Sequence, residues 1–127
     1  MLRGILVVDD SGLLRQLYKV FLSRYPGARV VTAENGAEAL ACLAADPEID
    51  LVLLDIQMPV MGGVEVLERL QQAPTRAEVP VIVISTKDKQ PLADRCLKLG
   101  ARAFLQKPFT TMALFEVIQS VTGARPS

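Results

Sequence analysis

The sequence predicts an α/β fold, a doubly wound three-layer sandwich, and two observations carry that reading. Short apolar runs alternate with helix-period segments along the 127 residues. Two of the runs, Ile5-Leu6-Val7-Val8 and Leu51-Val52-Leu53-Leu54, contain no polar residue, the pattern of strands buried on both faces of a parallel sheet covered by helices. Repeated right-handed βα crossovers build such a sheet, and five units are too few to close a barrel.

The elements follow in order. A strand near 4–9 runs into Asp9 and Asp10, and Ser11 suits the cap of a helix near 12–24. In that helix Leu13, Leu17, Val20 and Phe21 fall on one stripe expected to face the core. A strand near 29–34 leads to a helix near 36–45, opened by Asn35 and Glu38 in capping-box spacing and expected to bury Ala37, Leu40, Ala41 and Ala44. The third strand, near 50–55, ends in Asp55 and precedes a helix near 63–72. A strand near 79–85 ends in Ser85, and a helix near 90–99 follows, with Pro91 in its first turn and Gly100 just past its end. A strand near 102–106 precedes Lys107, and a helix near 110–122 completes the fifth unit. Residues 1–122 therefore read as one domain, with 123–127 as a tail or the start of a linker. The one longer surface connection is expected at 73–78.

Composition excludes several functions. Fourteen Lys and Arg balance fourteen Asp and Glu, so the charge gives no basis for binding nucleic acid or an anionic membrane. No apolar run is long enough for a signal peptide or membrane span, and Cys42 and Cys96 lack CxxC spacing. A reduced, cytoplasmic chain is expected. Histidine is absent, which removes His-based acid/base catalysis and His-ligated zinc. A phosphoryl group carried here would have to sit on a carboxylate.

In open parallel sheets ligands bind beyond the carboxyl ends of the strands, where Asp9, Asp10 and Asp55 fall. Three carboxylates this close repel one another unless protonated or neutralised, and a divalent cation is the simplest answer. A lone strand-end Asp is usually a turn or helix cap; three of them in register with Lys107 weaken that reading.

The segments VVDD, LLDIQMPVMGG, VIVIST and FLQKPF, at four successive strand ends, resemble the receiver domain of bacterial two-component response regulators, and the resemblance covers nearly the whole chain. It implies a flavodoxin-like five-stranded parallel sheet in the order 2-1-3-4-5. It implies that Asp55 accepts a phosphoryl group from a phosphohistidine on a sensor histidine kinase or histidine phosphotransfer protein, and later loses it by hydrolysis. The chain would be a self-phosphorylating, autodephosphorylating switch and not a turnover enzyme. Mg²⁺, with Mn²⁺ as an alternative, would be held by Asp10, Asp55, the main-chain carbonyl of Gln57 and, directly or through a water, Asp9, consistent with an oxygen-only donor set. By the same resemblance Lys107 contacts the phosphoryl oxygens, Ser85 moves to hydrogen-bond them, and Phe104 shifts with it. Gln57, Thr86 and Lys87 occupy positions that tune the phosphoryl lifetime. The Lys107-Pro108 bond is expected to be cis, as in the family.

Two departures stand out. Gly62-Gly63 replaces the family's frequent Asp-Gly, removing a helix cap, and Thr86 is bulkier than the usual Ala or Gly. The helix 4, strand 5, helix 5 face, which carries Lys89, Asp94, Arg95, Lys98, Arg102, Gln106 and Glu116, is the expected site for an output partner or fused effector. The chain is expected to be a monomer or a phosphorylation-dependent dimer, without direct contact to nucleic acid or membrane. Two readings compete. An aspartyl-phosphate phosphatase would need a second carboxylate two residues after the nucleophile, where Gln57 stands; a receiver-like interaction module that is never phosphorylated would have lost an acidic residue or the lysine, and none is lost.

Overall fold

A computed structural model describes residues 1–73, 78–86 and 90–127. Five strands, β1 (Gly4–Val8), β2 (Arg29–Ala33), β3 (Leu51–Asp55), β4 (Val81–Ser85) and β5 (Ala103–Gln106), alternate with five helices. These are α1 (Gly12–Leu22), α2 (Gly36–Ala45), α3 (Gly63–Gln72), α4 (Gln90–Lys98) and α5 (Thr111–Thr122). The strands pair in the order β2-β1-β3-β4-β5, and every pairing is parallel. The expected fold class and strand order are both present.

The ladder registers explain why the central strands carry no polar residue. Ala33, Val8, Leu54, Val83 and Phe104 lie side by side across the sheet and meet Ala39, Leu43, Val66, Leu67, Leu70 and Cys96 of α2, α3 and α4. One residue earlier, Val7, Leu53, Ile82 and Ala103 face the other way, onto Tyr18, Leu22, Leu114 and Ile118 of α1 and α5. Strand side chains alternate between faces, so both parities must be apolar. Each fully buried Leu, Ile or Val contributes roughly 1.5–3 kcal/mol.

Two expected core faces are corrected. On α1, Leu13, Leu17 and Val20 are 72%, 39% and 66% exposed; Tyr18 and Leu22 are buried, with Leu14 and Phe21 packed beside them. The helix carries two apolar stripes one position apart, and its seating on the sheet selects the second. On α2, Ala37, Ala41 and Ala44 are exposed and Leu40 is half-buried, while Gly36, Ala39 and Leu43 face inward. Alanine on both sides of that helix leaves little polarity contrast to read.

The helix ends follow the sequence. Ser11 Oγ accepts the Leu14 N–H at 3.2 Å, and Asn35 Oδ1 accepts the Glu38 N–H at 2.9 Å. The Glu38 carboxylate reaches back to the Glu34 N–H at 3.1 Å, one residue earlier than a capping box requires. Gly62 opens α3 without a side-chain cap, as its replacement of Asp implies. The longer connection expected at 73–78 falls mostly outside the described residues. Residues 123–127 turn back toward the segment after α1, where Ser127 N donates to the Arg24 carbonyl at 2.6 Å.

Candidate functional site

The fold brings the sequence-predicted residues to the carboxyl edge of the sheet. Asp9 and Asp10 follow β1, Asp55 ends β3, Ser85 ends β4 and Lys107 follows β5. Asp55 pairs with Ile84 and Ser85 with Gln106 in the ladders. The Lys107 N–H extends the last ladder by one bond, to the Ser85 carbonyl at 2.8 Å. Its peptide bond to Pro108 is cis.

Side-chain geometry makes this one cluster. Asp9, Asp10 and Asp55 each offer a carboxylate oxygen, and these atoms all lie within 4.8 Å of one another. Lys107 Nζ donates to Asp9 Oδ2 at 3.0 Å and stands 3.8 Å from Asp55 Oδ2. Asp9 Oδ1 accepts the Ser11 N–H at 2.9 Å, and Asp55 Oδ1 accepts the Gln57 N–H at 3.3 Å. Asp9, Asp55 and Ser85 are buried, whereas Asp10 is exposed. The pocket therefore opens to solvent on one side.

Among the described residues, the site is short of positive charge. Burial pushes the Asp55 carboxyl above its ordinary range; Lys107 opposes the shift, while Asp9 and Asp10 add to it. The Tyr18 phenol, stacked on Phe109 at 6.0 Å, is also raised, first by burial and then by Asp9 and Asp55. A divalent cation fits the donor set, because three clustered carboxylate oxygens are hard ligands and exposed Asp10 leaves room for water to complete a Mg²⁺ shell.

The rim joins two loops. Thr86 Oγ1 donates to Gln57 Oε1 at 3.1 Å, so two of the positions singled out in the sequence touch. Lys87 and Lys89 lie outside the described residues. Phe104 is half-buried and packs against the core under α4.

Sequence reasoning missed Arg15. Its Nη1 donates to the Asp9 carbonyl at 2.8 Å, and its Nη2 stands 3.5 Å from Glu34 Oε1. A lone arginine on a helix reads as solvated surface, and no motif marks this one.

Comparison with known proteins agrees with the geometry. The family model for the response regulator receiver domain matches residues 5–119. The chain is 34% identical over 119 residues to the chemotaxis protein CheY1 of Helicobacter pylori, covering 94% of this chain and 96% of that one. It is 34% identical over 104 residues to the two-component response regulator ORR5 of rice, Oryza sativa, covering 82% and 77%. Among solved structures, the chemotaxis protein CheY4 of Vibrio cholerae superposes with a TM-score of 0.86 at 30% identity, covering 95% of this chain and 99% of that one. A CheY-like receiver domain protein from Methanospirillum hungatei gives 0.83 at 29% identity, covering 94% and 93%. With the family matched over nearly its whole length and the acidic pocket at the expected strand ends, this chain belongs to the response regulator receiver domains of two-component systems.

Proposed function

We propose that the chain is a Mg²⁺-dependent phosphoacceptor switch that takes a phosphoryl group from a partner's phosphohistidine onto Asp55. The observation that carries this reading is the cluster itself, in which Asp55 lies within 4.8 Å of two further carboxylates and 3.8 Å from a lysine ammonium. Transfer of this kind depends on positioning and charge neutralisation more than on covalent chemistry by the protein.

An Asp55 carboxylate oxygen attacks phosphorus in line. The P–O bond forms as the bond to the donor imidazole nitrogen breaks, and that nitrogen keeps the electron pair. Lys107 follows the phosphoryl oxygens as a point charge, exchanging part of its contact with Asp9 for them. Asp9, Asp10, Asp55 and the Gln57 main-chain carbonyl are the groups that would hold Mg²⁺, with Mn²⁺ as a substitute. The ion supplies charge neutralisation to the transferring group. Hydrolysis returns free Asp55 and inorganic phosphate. Gln57 and Thr86, which touch at the rim, are assigned with Lys87 to setting the rate of that hydrolysis.

Ser85 then turns toward the phosphoryl group and Phe104 repacks, altering the α4–β5–α5 face. Phe104 has no hydroxyl to exchange, so the signal travels through packing. The donor is a sensor histidine kinase or histidine phosphotransfer protein in the cytoplasm, and the output is a protein partner or fused effector. Among the described residues no helix is long and apolar enough to cross a membrane.

The test is intact mass after incubation with phosphoramidate and Mg²⁺. A gain of one phosphoryl group, absent in Asp55→Asn and after chelation, is expected. No gain in the wild-type chain, together with failure to bind fluoroberyllate, would overturn the reading in favour of an unphosphorylated interaction module.

A further inference from the structure

We infer that Arg15 is a positioning residue for the metal site, holding the Asp9–Asp10 turn in the orientation that lets both carboxylates meet Asp55. This rests on the function proposed above and assigns a role that no motif carries.

The turn is braced on three sides. The Asp9 N–H donates to the Ala33 carbonyl at 3.1 Å, and the Asp9 carboxylate accepts the Ser11 N–H at 2.9 Å. The Asp9 carbonyl accepts from Arg15 Nη1 at 2.8 Å. That carbonyl belongs to the peptide linking Asp9 to Asp10, so its direction sets where the exposed Asp10 chain leaves the sheet. Arg15 is itself held, because its other terminal nitrogen pairs with Glu34 in the β2–α2 loop and only 18% of its side chain is exposed. A guanidinium suits this task because its rigid fork serves two acceptors at a fixed separation. A lysine at this position would keep the charge and lose the fork.

Charge and bracing make opposite predictions. A cation beside the site repels Mg²⁺, so as a simple charge Arg15 would weaken metal binding and its removal would tighten it. As a brace its removal loosens the ligands, and groups that orient metal ligands typically change affinity by about 10–100-fold when lost.

The experiment is calorimetric titration of Mg²⁺ into the full chain as wild type, Arg15→Met and Arg15→Lys, with Asp10→Asn as the ligand control. Amide spectra of each metal-free form accompany it. We expect Kd to rise about tenfold in both Arg15 variants, with metal-free amide shifts at Asp9, Asp10 and Ser11 beyond those around residue 15 and Glu34. Tighter binding in Arg15→Met with wild-type affinity in Arg15→Lys would overturn the inference in favour of charge alone, as would unchanged affinity in both. Arg15→Lys keeps stem and charge, so it carries the test should Arg15→Met fold poorly. Absence of Mg²⁺ binding by the wild-type chain would overturn the metal site itself, and the inference with it.

Discussion

Replacing Asp55 with Asn should stabilise the metal-free protein, although it removes the proposed acceptor. Asp55 loses two repulsive neighbours, Asp9 and Asp10, whose oxygens lie within 4.8 Å, and one attractive neighbour, Lys107 at 3.8 Å. At 4.8 Å a like-charge pair costs about 3.5 kcal/mol at an effective dielectric of ~20 and about 1 kcal/mol in bulk water; the opposite-charge pair at 3.8 Å returns about 4 or about 1 kcal/mol. The excess of repulsion, together with the burial of the charge, amounts to about 1–3 kcal/mol. Asn keeps an acceptor for the Gln57 N–H, and Lys107 keeps its bond to Asp9. For a chain of this size that gain raises Tm by roughly 4–10 °C in EDTA, read by calorimetry. The pH dependence has a fixed sign. The Asp55 pKa is raised in the folded state from its ordinary 3.8, so the folded form binds the proton more tightly and wild-type stability falls as pH rises from 3.8 through the raised value. The gap between variant and wild type should therefore be complete above that window and vanish below it. Saturating Mg²⁺ should close most of the gap by stabilising the wild type more. An Asp55→Asn variant that melts at or below the wild-type temperature in EDTA would refute the reasoning.

Three further substitutions test the surroundings of the site and one buried hydroxyl. Val60 holds φ +68° while 84% exposed, closed by a 2.7 Å bond from the Met61 N–H to the Pro59 carbonyl; a β-branched residue there costs about 1–3 kcal/mol. After the entropy of glycine in the unfolded chain is counted, Val60→Gly should gain about 1 kcal/mol in chemical denaturation. Gly63 packs so tightly that a Cβ would stand 2.7 Å from the Asp55 carbonyl, so Gly63→Ala should lose about 1–3 kcal/mol by overpacking and slow phosphoryl uptake measured by mass. The buried Tyr25 hydroxyl has no hydrogen-bond partner among the described residues, and Tyr25→Phe should raise stability by up to about 1 kcal/mol, with a loss of stability indicating a bound water.

The sheet and the acidic cluster were legible because each rests on a local signal. A strand buried on both faces must be apolar at both parities, and a carboxylate that ends such a run can only emerge at the sheet edge. Which face of α1 turns inward was not legible. Leu13, Leu14, Leu17, Tyr18, Val20, Phe21 and Leu22 supply two overlapping stripes, and the choice is made by the packing of Tyr18 against Phe109 and of Leu22 within the core it shares with α5. The contacts of Arg15 with Glu34, and of Thr86 with Gln57, join residues from different crossovers. Such pairs depend on how the loops are seated, which no spacing within one segment encodes.

The two ends of the sheet divide the labour between stability and function. At the amino edge, carboxylates are satisfied within the chain: Asp50 accepts the Arg3 and Gly4 amides at 3.0 and 3.2 Å, and Arg29 pairs with Asp46 and Glu48. At the carboxyl edge three carboxylates cluster, and among the described residues Lys107 is the ammonium that reaches two of them, Asp9 and Asp55. Native proteins seldom leave like charges this close without a counter-ion, since one of them would otherwise protonate. On the proposed function, that deficit is what draws a cation to the site, and the cation in turn is what lets a further anionic group settle on Asp55. On that function, the repulsion that weakens the metal-free fold is the same quantity that makes the pocket responsive, and a variant engineered for stability alone should have lost it.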